Sequence, residues 1–171
     1  MAKIFLSYSR KDSAVARKLI EAFKEMGHDP WVDWEDIPPA VGWLEQIFRG
    51  IEGSDTFFFL VSPDSVTSVV CGVEVSKAAE NNKRIIPIVV RDVNTREVKV
   101  HPTIGELNWI RFREGDSFEE ALAFIKVAIE LDIEWLEEHG RLQLRALEWH
   151  RENDSSLLLR GRDYRLLCPD L

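Results

Sequence analysis

A doubly wound α/β fold built on parallel strands is the fold class this sequence predicts, and three observations predict it. Short continuous apolar runs alternate along the chain with longer stretches of helical spacing. The most strand-like run, Thr56-Phe-Phe-Phe-Leu-Val61, has the composition of a central strand covered on both faces. The chain has 171 residues, 45% hydrophobic and 30% charged, enough to bury one substantial core.

The elements follow in order. Lys3 to Ser7 is the first strand, after which Asp12 or Ser13 can cap a helix with apolar face Val15, Leu19, Ile20, Phe23 and Met26, stopped by Gly27. Asp29-Pro-Trp-Val-Asp33 is a short second strand, and the proline-bearing stretch from Trp34 to Gly42 is a long loop. Trp43 to Gly53 reads as a helix with Leu44, Ile47, Phe48 and Ile51 on one side. After the third strand, Ser62-Pro-Asp-Ser opens a helical region that continues through Cys71, Glu74, Val75, Ala78 and Ala79 to the Asn81-Asn82 pair. Arg84 to Val90 is the fourth strand, whose Pro87 removes a ladder donor and suggests a bulge or a place near the sheet's margin. Trp109 to Phe112 is the fifth, followed by a helix from Ser117 to Ile133.

Five βα units with right-handed crossovers fit a flavodoxin-like sheet of order 2-1-3-4-5 with helices on both faces. The chain then reverses direction between its first and third strands, and a ligand crevice is expected there. The residues at that crevice are Tyr8, Ser9 and Arg10 after the first strand and Ser62 and Pro63 after the third, with the loop from Asp33 beside them. If the helical region after the third strand is broken near Ser68, its start can aim Glu74 into that crevice.

Composition excludes several functions. A net charge of -8 opposes binding to a phosphate backbone, so nucleic acid is not an expected partner. Two cysteines, Cys71 and Cys168, form no CxxC pair and support neither a disulfide framework nor a metal site. The start MAKIFLSYSRKD supplies no signal-peptide core, and no apolar window is long enough to span a membrane. A cytoplasmic protein, or a piece of a larger one, is the expectation. No Gly-rich phosphate loop points to NAD+ as a redox cofactor. A phosphoacceptor receiver fails on residues, because Ser7-Tyr8-Ser9 and Ser62-Pro63 stand where it needs acids.

Four motifs coincide in order: Phe5-Leu-Ser-Tyr-Ser9, Trp31-Val-Asp33 entering the Pro-containing loop, Phe58-Phe-Leu-Val-Ser-Pro63, and Cys71-Gly-Val-Glu74. Together they resemble a TIR (Toll/interleukin-1 receptor) domain, of bacterial type, over residues 1–133. The resemblance implies that Asp33 to Gly42 is the BB loop, which gates the pocket and takes part in assembly. It also implies that Glu74, three residues after a cysteine, is the catalytic glutamate of enzymatic TIR domains, where it contacts the ribose attached to nicotinamide. Such an enzyme is an NAD+ glycohydrolase or cyclase, with NAD+ as substrate and no cofactor. It releases nicotinamide and ADP-ribose or a cyclic form, in bacterial antiviral defence signalling activated by self-association. One carboxylate suits the chemistry, because cleavage builds an oxocarbenium-like ribose that an anion stabilises while nicotinamide leaves neutral. Where many family members carry tryptophan before the cysteine, this chain has Val70.

Other site candidates follow. An aromatic beside the pocket could stack on a base or nicotinamide ring in place of the family's tryptophan, and Phe5, Trp34 and Trp43 are the candidates. Asp33 either caps its loop or touches a ribose, and Arg10, Ser7 and Tyr8 are binding candidates because the matching loop of the family approaches the nucleotide. Glu74 has a blander alternative as a solvated helix carboxylate, and Cys71 reads as a packing residue with no chemistry. The apolar content of Trp34, Ile37, Pro38, Pro39 and Trp43 marks a contact surface, expected to pack on a second TIR copy. The competing function is a non-enzymatic TIR–TIR scaffold using the same loop.

Residues 134–171 are expected to be a helical extension or connector, with a helix from Glu134 to Arg151. They resemble the segment leading from a TIR domain to a sensor or oligomerising partner module, such as a STAND ATPase or repeat region.

Overall fold

A computed structural model describes residues 1–31, 42–130 and 133–157. Five strands, β1 (Lys3–Ser7), β2 (Asp29–Trp31), β3 (Thr56–Val61), β4 (Arg84–Val89) and β5 (Ile110–Arg111), form one sheet in the order β2-β1-β3-β4-β5. Every pairing is parallel. The helices are α1 (Ser13–Glu25), α2 (Trp43–Gly53), the single turn α3 (Pro63–Val66), α4 (Val69–Glu80), the single turn α5 (Pro102–Gly105), α6 (Phe118–Glu130) and α7 (Ile133–Glu152). This is the expected doubly wound topology. Among the described residues no helix is long and apolar enough to cross a membrane.

Strand alternation divides the core in two. Ile4, Leu6, Phe58, Leu60, Ile86 and Ile88 face α1 and α6, meeting Leu19, Phe23, Ile125 and Ile129. Phe5, Phe57, Phe59 and Val61 face α2 and α4, meeting Ile47, Ile51, Cys71, Val75 and Ala78. All six residues of β3 are buried, as its continuous apolar run demands.

Of the two readings of Pro87, the bulge is excluded and the place near the margin holds. The β3–β4 register runs without interruption from Thr56↔Arg84 to Val61↔Val89, so there is no bulge. β5 pairs only with Ile88 and Val89, and Pro87 therefore lies where β4 is flanked by β3 alone. The helical region after β3 is broken near Ser68: Ser62 caps α3 in a capping box with Ser65, and Ser68 accepts from Cys71 N to start α4.

Two contacts seat α2. A Cβ at Gly50 would stand 2.9 Å from the Trp31 ring, so only glycine lets the helix approach this closely. At the helix's end, the buried Lys83 ammonium donates to the Glu52 and Ser54 carbonyls at 2.7 and 2.8 Å, satisfying orphan acceptors of its last turn.

Burial pushes Lys83 down to about 8, against the raising influence of Asp55 and Glu52. Between about 8 and the ordinary value of 10.5, the unfolded chain holds a proton that the folded chain has released, so this group adds stability as pH rises through that window. Urea unfolding at several pH values should show the wild type gaining on Lys83→Met across the window. Parallel pH profiles would contradict this account.

Candidate functional site

The strand order reverses direction between β1 and β3, the place where this kind of sheet is expected to bind a ligand at its carboxyl end. Ser7 is the last residue of β1 and is 2% exposed; Glu74, on the second turn of α4, is 5% exposed. Ser7 Oγ donates to Glu74 Oε2 at 2.5 Å across 67 residues of sequence. The blander reading of Glu74 as a solvated carboxylate is therefore overturned. A carboxylate withdrawn from water requires hydrogen-bond partners, and the β1 hydroxyl supplies one.

The other candidates distribute unevenly. Phe5 is a correction: its ring stacks on Trp31 at 4.8 Å and on Phe57 at 5.3 Å, one on each neighbouring strand, and it is 1% exposed. A ring occupied on both faces inside the core has no face for a nucleotide. Tyr8 packs against the core cluster on the α1 side, whereas Ser7 hydrogen-bonds Glu74 of α4. Arg10 is exposed on a 3-10 turn, Arg10–Asp12. Trp43 is 40% exposed at the first residue of α2. Asp33 and Trp34, with the BB-loop segment 32–41, lie outside the described residues. Cys71 is buried at 3% in the α2–α4 layer, as a packing residue should be.

Sequence reasoning missed the network that holds the crevice loops. Asp12 is 4% exposed and makes no side-chain cap for α1, contrary to its expected role. Its carboxylate accepts instead from Ser62 Oγ at 2.6 Å and from Arg91 Nε at 2.8 Å. Arg91 also reaches Asp64 at 2.5 Å, and Lys11 closes the ring on Asp64 at 2.5 Å. The loops after β1, β3 and β4 are thereby tied together. The hydrogen bonds from Lys11 and then Arg91 hold Asp64 below its ordinary value, and Asp12 foremost raises Arg91. The only sequence signal was polar residues recurring just after three strands.

Other grooves open among the described residues. One of about 490 Å³ lies between α1 and the start of α6, lined by Lys11, Lys18, Arg91, Phe112 and Arg113. Arg91 is held by Asp12 and Asp64, and Arg113 by Asp92 and Asp116, so that groove offers a ligand largely neutralised charge.

The family model described as "TIR domain" matches residues 4–126, most of the chain. The chain belongs to the TIR domain family. No curated protein matches it. Among solved structures, it is similar to the TIR domain of the Toll-related receptor TRR-2 from Hydra magnipapillata. That likeness has a TM-score of 0.57 and 20% identity over 66% of this chain and 85% of the receptor domain. It is also similar to the Clostridium botulinum CMP N-glycosidase BcmB, with a TM-score of 0.52 and 19% identity over 73% of this chain and 98% of that one. A third likeness is to the TIR domains of the activated Roq1 resistosome that recognises the pathogen effector XopQ, with a TM-score of 0.51 and 19% identity over 84% and 81%. At these identities the likenesses establish the TIR fold, in agreement with the strand order.

Removing the hydroxyl that Glu74 accepts should be costly because the carboxylate stays buried. Ser7→Ala should lower unfolding free energy by about 2 kcal/mol in urea titration. An unchanged midpoint would show that Glu74 does not depend on this bond.

Proposed function

We propose that this TIR domain cleaves the nicotinamide–ribose bond of NAD+, with Glu74 as the catalytic carboxylate. The observation that carries the reading is the nearly buried Glu74 side chain bound to Ser7 at the switch point, where this fold places its ligands. Asp12 and Glu52 are each buried against a cation, whereas the partner named for Glu74 is a neutral hydroxyl at the switch point, where a carboxylate can stabilise developing positive charge.

Heterolysis moves the bonding pair of the N-glycosidic bond onto nicotinamide nitrogen, which leaves neutral, and puts positive charge on ribose C1 and its ring oxygen. Glu74 stabilises that charge and accepts hydrogen bonds from the ribose hydroxyls. Water then gives ADP-ribose, or a nucleophile within the bound nucleotide gives a cyclic form. Ser7 holds the carboxylate in place until substrate hydroxyls compete for it. The name of BcmB supports N-glycosidic chemistry on this fold.

Self-association belongs to the same reading. Trp43 at 40%, Leu44 at 44%, Val69 at 81% and Val73 at 36% exposure give the first turns of α2 and α4 more apolar surface than solvation requires. Another TIR copy covering it would join the BB loop, residues 33–42, in completing the site, and the Roq1 assembly shows TIR domains brought together in a larger particle. The setting we infer is cytoplasmic defence signalling, with residues 134–171 leading to a sensor or oligomerising module. The same patch also favours the second reading, a scaffold that recruits TIR partners without chemistry.

The two readings separate on substitution. Clustered wild type should release nicotinamide from NAD+, and Glu74→Gln should reduce release at least about a hundredfold while leaving self-association intact. Equal activity in the variant would remove Glu74 from the mechanism, and a silent clustered wild type would leave the scaffold reading.

A further inference from the structure

Glu52 is a second buried carboxylate, 2% exposed, on the last turn of α2, and the chemistry above does not use it. It is held by two cations from two other helices. Lys77 Nζ of α4 lies 3.0 Å from Oε1, and Arg151 of α7 donates to Oε2. Burial alone would raise the Glu52 carboxyl, but the hydrogen bonds from Arg151 and Lys77 outweigh it and hold it below the ordinary value.

Lys77 follows Glu74 by three residues, less than one helical turn, so the two side chains move with one rigid segment of α4. Lys77 is fixed to α2 twice, at Glu52 and by the Phe48 ring, whose centroid lies 5.2 Å from Nζ. The C-terminal helix touches the same assembly at two more points. Gln143 Nε2 donates to the Asn81 carbonyl at the C-cap of α4, and Asn81 Nδ2 in turn donates to Lys77 O at 3.0 Å. Gly140 comes so close to the α2–β3 connection that a Cβ there would stand 3.2 Å from Asp55 Oδ1. One end of α4 is therefore bonded to Ser7 at the switch point, and the other end to α7.

We propose that Glu52 is a positioning residue through which the C-terminal helix α7 sets the placement of α4, the helix that carries Glu74. When α7 is docked, Arg151 shares the buried carboxylate with Lys77 and the α2–α4 seam is closed. When α7 is pulled away, Glu52 keeps one cation in a site built for two, water enters to solvate it, and α4 loosens. Whatever follows α7 in the chain can thus change the crevice from the opposite end of the sheet. The coupling stands on geometry alone, and its effect on catalysis rests on the role given to Glu74.

The test uses the full chain and two variants that undock α7 by different means. Arg151→Ala removes the shared cation, and Gly140→Val forces α7 off Asp55 without touching Glu52. Hydrogen exchange should accelerate about tenfold in the α4 peptide, residues 69–80, in both variants, while α1 and α6 exchange as in the wild type. In the clustered state kcat for nicotinamide release should fall with KM nearly unchanged, and Glu52→Gln should reproduce both effects. Acceleration confined to α7, or spread equally over α1 and α6, overturns the proposal. Accelerated α4 exchange in a protein whose wild type releases no nicotinamide upholds the coupling and sinks the NAD+ reading alone. If Gly140→Val does not fold, Arg151→Ala and Glu52→Gln decide the matter.

Discussion

A carboxylate taken out of water has to be compensated where it stands, and the placement of Glu74 against Ser7 is the constraint on which the site depends. It requires β1 to end at Ser7, α4 to begin at Ser68, and the sheet to set β1 beside β3. Each has its own local cause. Ser68 caps α4 at Cys71 N, so Glu74 falls on the second turn, and the parallel register aligns Ser7 with Phe59 beneath that helix. The bond joins a strand and a helix that are distant in sequence, and it exists only when the core between them is packed.

Two polar clusters hold this arrangement from opposite ends. At the carboxyl end, Asp12 gathers Ser62 and Arg91, and Asp64 gathers Arg91 and Lys11, so the loops after β1, β3 and β4 share one set of charges. At the other end, Lys83 closes the last turn of α2 and Glu52 gathers α4 and α7. Exposed members such as Lys11 contribute little singly, because water screens them. The buried members, Asp12 and Glu52, define geometry because leaving either without its partners is expensive.

The strand order and the central place of β3 were legible in the sequence, since both follow from apolar periodicity. The candidacy of Ser7 and Glu74 was legible as well, though not their bond. Phe5 could not be told from a ligand-stacking ring, because burial between Trp31 and Phe57 is a property of the assembled sheet. Asp12 looked like a helix cap because a cap is local, whereas its partner Arg91 is 79 residues away. Pro87 suggested a bulge or a place near the sheet's margin, and the short reach of β5 puts it at the margin without a bulge. The Glu52–Lys77–Arg151 cluster left no pattern at all, being three charged residues on three helices.

The central claim is that the Glu74 carboxylate meets the ribose of NAD+. Carbon-13 NMR of glutamate-labelled protein, with the Glu74 signal assigned by its loss in Glu74→Gln, measures this directly. Adding a non-cleavable NAD+ analogue to clustered protein should shift the Glu74 carboxyl resonance while leaving that of Glu52 in place. A saturated complex in which the Glu74 signal does not move would contradict the account.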